Sequence, residues 1–184
     1  MKIRWIGAAL GLMAAAALVY AQQGEAALVG KDAPAFEAAT TAGKNVSLKS
    51  LTQDGPVFLL FWKEPCPHNP RASALFNEIH KAYGEKSRLV GIVSTGADGA
   101  SKWQKQFGVE YPFIADGNHS IQGSFGVPKS IVTIMVGKDG KVAKTFPGYG
   151  ATELGALNEA MAEAAGVPAV KVDLKSAPAR KTYG

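Results

Sequence analysis

Six apolar residues in a row, Val57-Phe58-Leu59-Leu60-Phe61-Trp62, constrain this 184-residue chain more than any other feature. The run is too short for a stable isolated helix, and it shows no alternation of polar and apolar side chains. Such a strand needs both faces covered, as in the centre of a parallel or mixed sheet packed between helices. Gly55-Pro56 marks its start, and the proline-dense loop Lys63-Glu64-Pro65-Cys66-Pro67-His68-Asn69-Pro70 marks its end. Leu75, Phe76, Ile79 and Tyr83 then recur at helical spacing, predicting a helix from about Arg71 to Tyr83 with Gly84 as its stop.

The rest of the chain fits the same architecture. Ala35 to Thr40 and Val46 to Leu48 read as a hairpin around a Thr-Ala-Gly-Lys-Asn turn. Arg88 to Ser94 is a second apolar strand, Asp98 to Phe107 a short helix, Tyr111 to Ala115 a short strand and Asn118 to Phe125 a short helical segment. Ser130 to Val136 and Lys141 to Phe146 flank the turn Gly137-Lys138-Asp139-Gly140, and Thr152 caps a last helix that runs through Ala165. The order is hairpin, β-α-β-α, β-hairpin, α. It predicts an α/β fold with a central mixed sheet, helices on both faces and an N-terminal β-hairpin.

The two ends fall outside this pattern. Residues 1–21 have a basic start at Lys2 and Arg4, then an uncharged Ala/Leu-rich run, with Val19 and Ala21 at the −3 and −1 positions before Gln22. That is the signature of a cleavable export signal, and the rival reading is an uncleaved membrane anchor. No cysteine follows the run, which excludes a lipoprotein. Residues 167–184, with Pro168, Pro178 and scattered bases, read as a flexible basic tail. The net charge of +5 suggests an acidic partner at first sight. The signal carries +2 of it and the tail +3, however, so the domain at 22–166 is neutral and nucleic acid is not expected as a partner. Hydrophobic residues at 47% and charged residues at 19% exclude a disordered chain. The chain reads as exported and periplasmic, touching the membrane only if the signal stays uncleaved.

Cys66 is the only cysteine, which excludes an internal disulfide and any zinc site built on cysteine clusters. It lies where a buried strand ends and a helix begins, the place where ligands gather in α/β sheets. Unpaired amide N–H groups and the positive end of a helix dipole favour thiolate over thiol there, and the flanking Pro65 and Pro67 stiffen the loop. His68, two residues on, is placed to move a proton. His68 and Cys66 alone make a poor metal site, so neither a metal nor a cofactor is expected. Trp62 and Trp103 read as core.

These residues carry a resemblance. Phe61-Trp62-Lys63-Glu64-Pro65-Cys66-Pro67-His68-Asn69 resembles the Phe-Trp-Ala-x-Trp-Cys-x-x-Cys segment of the thioredoxin-like superfamily. Val29-Gly30-Lys31-Asp32-Ala33-Pro34-Ala35-Phe36 is similar to the entry motif of its redoxin branch. That branch holds the TlpA/ResA-type thiol–disulfide oxidoreductases and the alkyl hydroperoxide reductase/thiol-specific antioxidant domains. Phe125-Gly126-Val127-Pro128-Lys129-Ser130 resembles the branch's Y-G-V-x-x-x-P-T region, and Gly137 to Val142 its D-x-x-G-x-V turn. The resemblance covers about residues 28–166. It implies a thioredoxin-like fold, Cys66 as nucleophile with His68 assisting, and Pro128 as a substrate-orienting cis-proline. It also implies a substrate surface of Pro65, Pro67, Asn69, Val127 and Lys129, with protein or small-molecule thiols and disulfides as partners.

The departures shape the chemistry. Asn69 stands where the dithiol enzymes have their resolving cysteine, Pro65 where they have tryptophan, and Lys129 where they have a small residue. Cys66 can therefore form a mixed disulfide but cannot release it within the chain. A disulfide-linked dimer through Cys66 is a further expectation. Two alternatives follow from the same residues. One is a redox-inactive binding or chaperone module, favoured by Asn69 and Pro65. The other is a one-cysteine peroxidase, although Lys63 and Leu59 replace the Thr and Pro of the peroxidatic motif and no arginine lies between Arg88 and Arg180.

Overall fold

The computed structural model describes residues 25–183. The expected export signal at 1–21 lies outside the described residues. After a short 3₁₀ turn at Glu25–Leu28, the elements are β1 (Glu37–Ala39), β2 (Asn45–Ser47), α1 (Leu48–Thr52), β3 (Val57–Trp62), α2 (Asn69–Tyr83), β4 (Arg88–Val93) and α3 (Ala97–Gln106). There follow β5 (Phe113–Ala115), α4 (Ser120–Ser124), β6 (Val132–Val136), β7 (Val142–Pro147) and α5 (Ala151–Ala165). β1 and β2 form an antiparallel hairpin, and the other strands form one sheet in the order β5-β4-β3-β6-β7. β3 pairs parallel with β4 and antiparallel with β6, so the sheet is mixed, as the sequence predicts.

β3 is the centre, and all six of its side chains are buried. Its pleat divides the interior. Phe58, Leu60 and Trp62 face α2 and α5, meeting Leu75, Phe76 and Ile79 on the former and Leu154, Leu157 and Met161 on the latter. Val57, Leu59 and Phe61 face Leu48 of α1, Ile121 of α4 and Phe125. Each such side chain stabilises the fold by about 1.5–3 kcal/mol relative to exposure. On the first face Trp62 packs against both Phe76 and Trp103, at ring distances of 5.5 and 4.9 Å. No helix among the described residues is long and apolar enough to cross a membrane.

Two local features differ from the sequence reading. The last helix begins at Ala151 with Gly150 as its N-cap, so Thr152 lies inside it and does not cap it. The hairpin is shorter because β2 ends at Ser47, which also caps α1. Its Oγ accepts the Ser50 N–H at 3.1 Å while the Ser50 Oγ accepts the Ser47 N–H at 2.9 Å. The tail is laid against the domain. Val172, Leu174 and Ala177 pack on the first core face and Tyr183 on the second. Val170 N–H donates to the Tyr83 hydroxyl at 3.1 Å, and Thr182 exchanges backbone bonds with Tyr149 at 2.8 and 3.2 Å. Its scattered apolar residues bury area, and its carbonyls find donors, which a list of prolines and bases does not reveal. Short bridges also cover the sheet edges: Thr40 pairs with Ile114 beside β5, Asp32 with Lys141 beside β7, and Thr182 with Tyr149 just beyond it.

Candidate active site around Cys66

The loop carrying Cys66 leaves the carboxyl end of β3 from a fixed root. Trp62 O accepts the Ser94 N–H and the Gln122 Nε2, each at 3.1 Å, and Ser94 Oγ accepts the Glu64 N–H at 3.0 Å. The Glu64–Pro65 peptide is cis. The loop then closes on itself: Asn69 N–H donates to Cys66 O at 3.2 Å, and Asn69 Nδ2 donates to Lys63 O at 3.2 Å. α2 begins at Asn69, and its first helical bond runs from Ala72 N–H to His68 O at 3.0 Å. Cys66 thus lies three residues before the helix, half-buried, with its Sγ accepting the His68 N–H at 3.4 Å. A sulfur anion accepts such a bond more strongly than a neutral thiol.

Two residues that the sequence reading did not place at the site complete the surroundings. Tyr149, fully buried, packs its ring 6.0 Å from that of His68. Burial pushes its phenol above the ordinary tyrosine range. The positive charge of Arg71 opposes that rise and Cys66 adds to it. The Tyr149 hydroxyl has no hydrogen-bond partner among the described residues. Arg71, in the first turn of α2, donates its Nε to Ser176 O in the tail. Tyr149 lies in Pro147-Gly148-Tyr149-Gly150, a stretch that reads as a chain break. The signal there is the pair of flanking glycines. Gly148 has φ 77°, and a Cβ on it would come 2.7 Å from both the Lys181 side chain and Thr182 O. A large ring between two such glycines marks a place where another segment presses close.

The predicted site residues divide. Cys66, His68, Pro65 and Pro67 share the loop, with both prolines exposed and His68 half-buried. Asn69 is 2% exposed and turned inward onto Lys63 O, so it clasps the loop from beneath instead of lining its surface. Val127 belongs to the second core face. Pro128 and Lys129 are exposed. Pro128 does not have the expected cis bond: the cis peptide is Ser130–Ile131. The correction follows from register. Four residues after Val127, the position where the Y-G-V-x-x-x-P-T pattern has its proline, stands Ile131. That cis bond leads into β6, whose Val132 pairs with Phe61 of β3, and Ile131 O accepts the Gly148 N–H at 2.7 Å. The bend at 130–131, the Cys66 loop and Tyr149 therefore share one end of the sheet. The described residues hold no group of three or more His, Cys, Asp or Glu side chains suited to a metal ion.

The comparisons with known proteins bear on the family and the fold. The pattern of the AhpC/TSA family matches residues 29–145. The thiol-disulfide oxidoreductase ResA of Bacillus anthracis is 32% identical over 124 residues, covering 65% of this chain and 70% of that protein. ResA of Bacillus subtilis (strain 168) is 31% identical over 124 residues, covering 65% and 67%. Among solved structures, the peroxidoxin BcpB of Mycobacterium tuberculosis superposes with a TM-score of 0.61 at 21% identity, over 76% of this chain and 97% of that one. The Mycobacterium tuberculosis dsbF structure, in mixed oxidised and reduced forms, gives a TM-score of 0.61 at 21% identity over 70% and 94%. The two structural likenesses speak for the thioredoxin-like fold alone.

Proposed function

The chain belongs to the AhpC/TSA family, on its thiol–disulfide oxidoreductase side, and from that premise we propose an exported protein that performs thiol–disulfide exchange through Cys66 alone. The Cys66 thiolate attacks one sulfur of a partner disulfide. The partner's S–S bond breaks, a Cys66–partner disulfide forms, and the released thiolate takes a proton, a transfer we assign to His68, two residues along the loop. A second thiol, from a small molecule or a partner protein, then attacks the mixed disulfide. It leaves as a new disulfide and returns Cys66 to the thiol. Electrons pass between partners and the chain is unchanged.

The observation that carries this reading is the clasped loop. It holds one half-exposed sulfur at the end of the central strand and fills the fourth position with a buried asparagine. The test is mass spectrometry after exposure to oxidised glutathione. We expect one adduct per chain on Cys66, removed by excess thiol and absent in Cys66→Ser. Exchange activity retained in full by Cys66→Ser would sink the reading. Export is tested separately, by expressing the full chain in a Gram-negative host and sequencing the periplasmic product, with Gln22 expected as its first residue.

A further inference from the structure

The proposed exchange leaves the partner's size open, and the tail bears on it. Ser176 to Tyr183 runs along the margin of the Cys66 site. Ser176 O accepts from the Nε of Arg71, in the first turn of the helix that follows Cys66. Pro178 O accepts the Ala151 N–H at 2.9 Å. Thr182 makes a two-bond antiparallel bridge to Tyr149, whose ring faces His68. The Tyr183 ring lies under the Lys129 and Lys181 ammonium groups, at 5.4 and 5.7 Å, and packs on the second core face. The segment therefore touches the helix after Cys66, the turn bearing Tyr149 and the loop bearing Lys129. The closeness is built in: Gly148 and Gly150 have no Cβ, and one on Gly150 would meet the Arg180 backbone at 3.1 Å.

We propose that this C-terminal segment is a selectivity wall that favours low-molecular-weight disulfides over disulfides in folded proteins. A small disulfide needs only an approach along the S–S axis to a half-exposed sulfur. A protein disulfide brings a surface, and specific protein contacts cover on the order of 1,000 Å² or more. On the side of Arg71 and Tyr149 the ground such a surface would use is taken by the chain's own tail, and the Tyr149 N–H and C=O are already paired with Thr182. The inference rests on the exchange reading above and names its substrate class: small disulfides, with a small thiol returning Cys66 to its reduced form.

The test compares the full chain with one ending at Lys175, and with Thr182→Pro, which removes the N–H donated to Tyr149 and the hydroxyl donated to Arg180 O and serves if the shortened chain loses its fold. Second-order rates of Cys66 modification are measured with oxidised glutathione and with a folded protein carrying an exposed disulfide. We expect the full chain to favour glutathione. Loosening the segment should raise the protein rate at least about tenfold while the glutathione rate moves less than about twofold. An unchanged ratio, or two rates that rise together, overturns the wall. A Cys66 inert to both disulfides in every variant overturns the exchange reading, and the wall with it.

Discussion

Placing a second cysteine in the loop, as N69C, separates an exchange that stops at a mixed disulfide from one that resolves itself. Asn69 N–H donates to Cys66 O, closing a four-residue turn. Such a turn holds its end Cα atoms within about 7 Å, near the range of about 4.4–6.8 Å that a disulfide spans. In the reduced form the substitution removes the Asn69 Nδ2 bond to Lys63 O, a loss of about 0.5–1.5 kcal/mol. It also removes the buried Oδ1 that has no partner, which offsets part of the loss. The reduced variant should therefore melt within about 1 kcal/mol of the parent. Closing so short a loop contributes about 2 kcal/mol in the chain-entropy account, so the oxidised variant should exceed the reduced one by that amount. The assay mixes each chain with a peptide disulfide and follows free peptide thiol and protein mass without added reductant. The parent should stop at one covalent adduct. The variant should release the peptide fully reduced and lose two hydrogens as an internal disulfide. A variant adduct as long-lived as the parent's, or a parent that releases its partner unaided, would refute the single-cysteine cycle.

Other consequences of the geometry are as easily checked. Tyr83 donates its hydroxyl to Asn158 Oδ1 at 2.7 Å and accepts the Val170 N–H, so Tyr83→Phe should cost about 1–3 kcal/mol in a urea melt and expose the tail to protease. Gly148→Ala meets both the positive φ and the Thr182 carbonyl, and a loss of about 1–3 kcal/mol is expected by the same measurement. His80, edge-on to Tyr111 at 5.6 Å, is held below the ordinary histidine range, chiefly by burial, with Glu85 and Glu110 pulling the other way. The unfolded chain therefore takes up the proton first. Stability is full above about pH 6.5 and falls as the pH drops toward the folded value, a slope that His80→Phe should flatten in melts taken from neutral to mildly acid pH. Stopped-flow mixing with hydrogen peroxide should oxidise Cys66 no faster than free cysteine, because Lys63, exposed, stands where a peroxidatic site has its threonine.

The sheet was legible because its centre is unambiguous. Val57 to Trp62 permits one environment, and once it is central the flanking helices and the later hairpin have few places to go. Boundaries were less legible where a side chain competes with the ladder. Ser47 and Ser50 cap each other with hydroxyls alone, so the helix they start lacks the usual acidic or amide partner. At the site, the position of Cys66 follows from strand, loop and helix in sequence. Tyr149 and Arg71 come from different elements, and only the folded chain brings them beside His68 and the tail. Pro128 misled because residue type was weighed above register: the count from Val127 reaches Ile131, where the cis bond is.

The bridges along the two outer strands have a meaning for crowded solutions. A sheet's last strand normally offers a row of free N–H and C=O groups, on which a second copy can build an aggregate. Here Thr40 stands against Ile114 on one margin, and Asp32 and Thr182 stand against Lys141 and Tyr149 on the other. Shortening the tail removes the last of these guards. A chain ending at Lys175 should then self-associate at concentrations where the full chain stays dispersed, through backbone pairing that needs no cysteine and that reductant will not reverse.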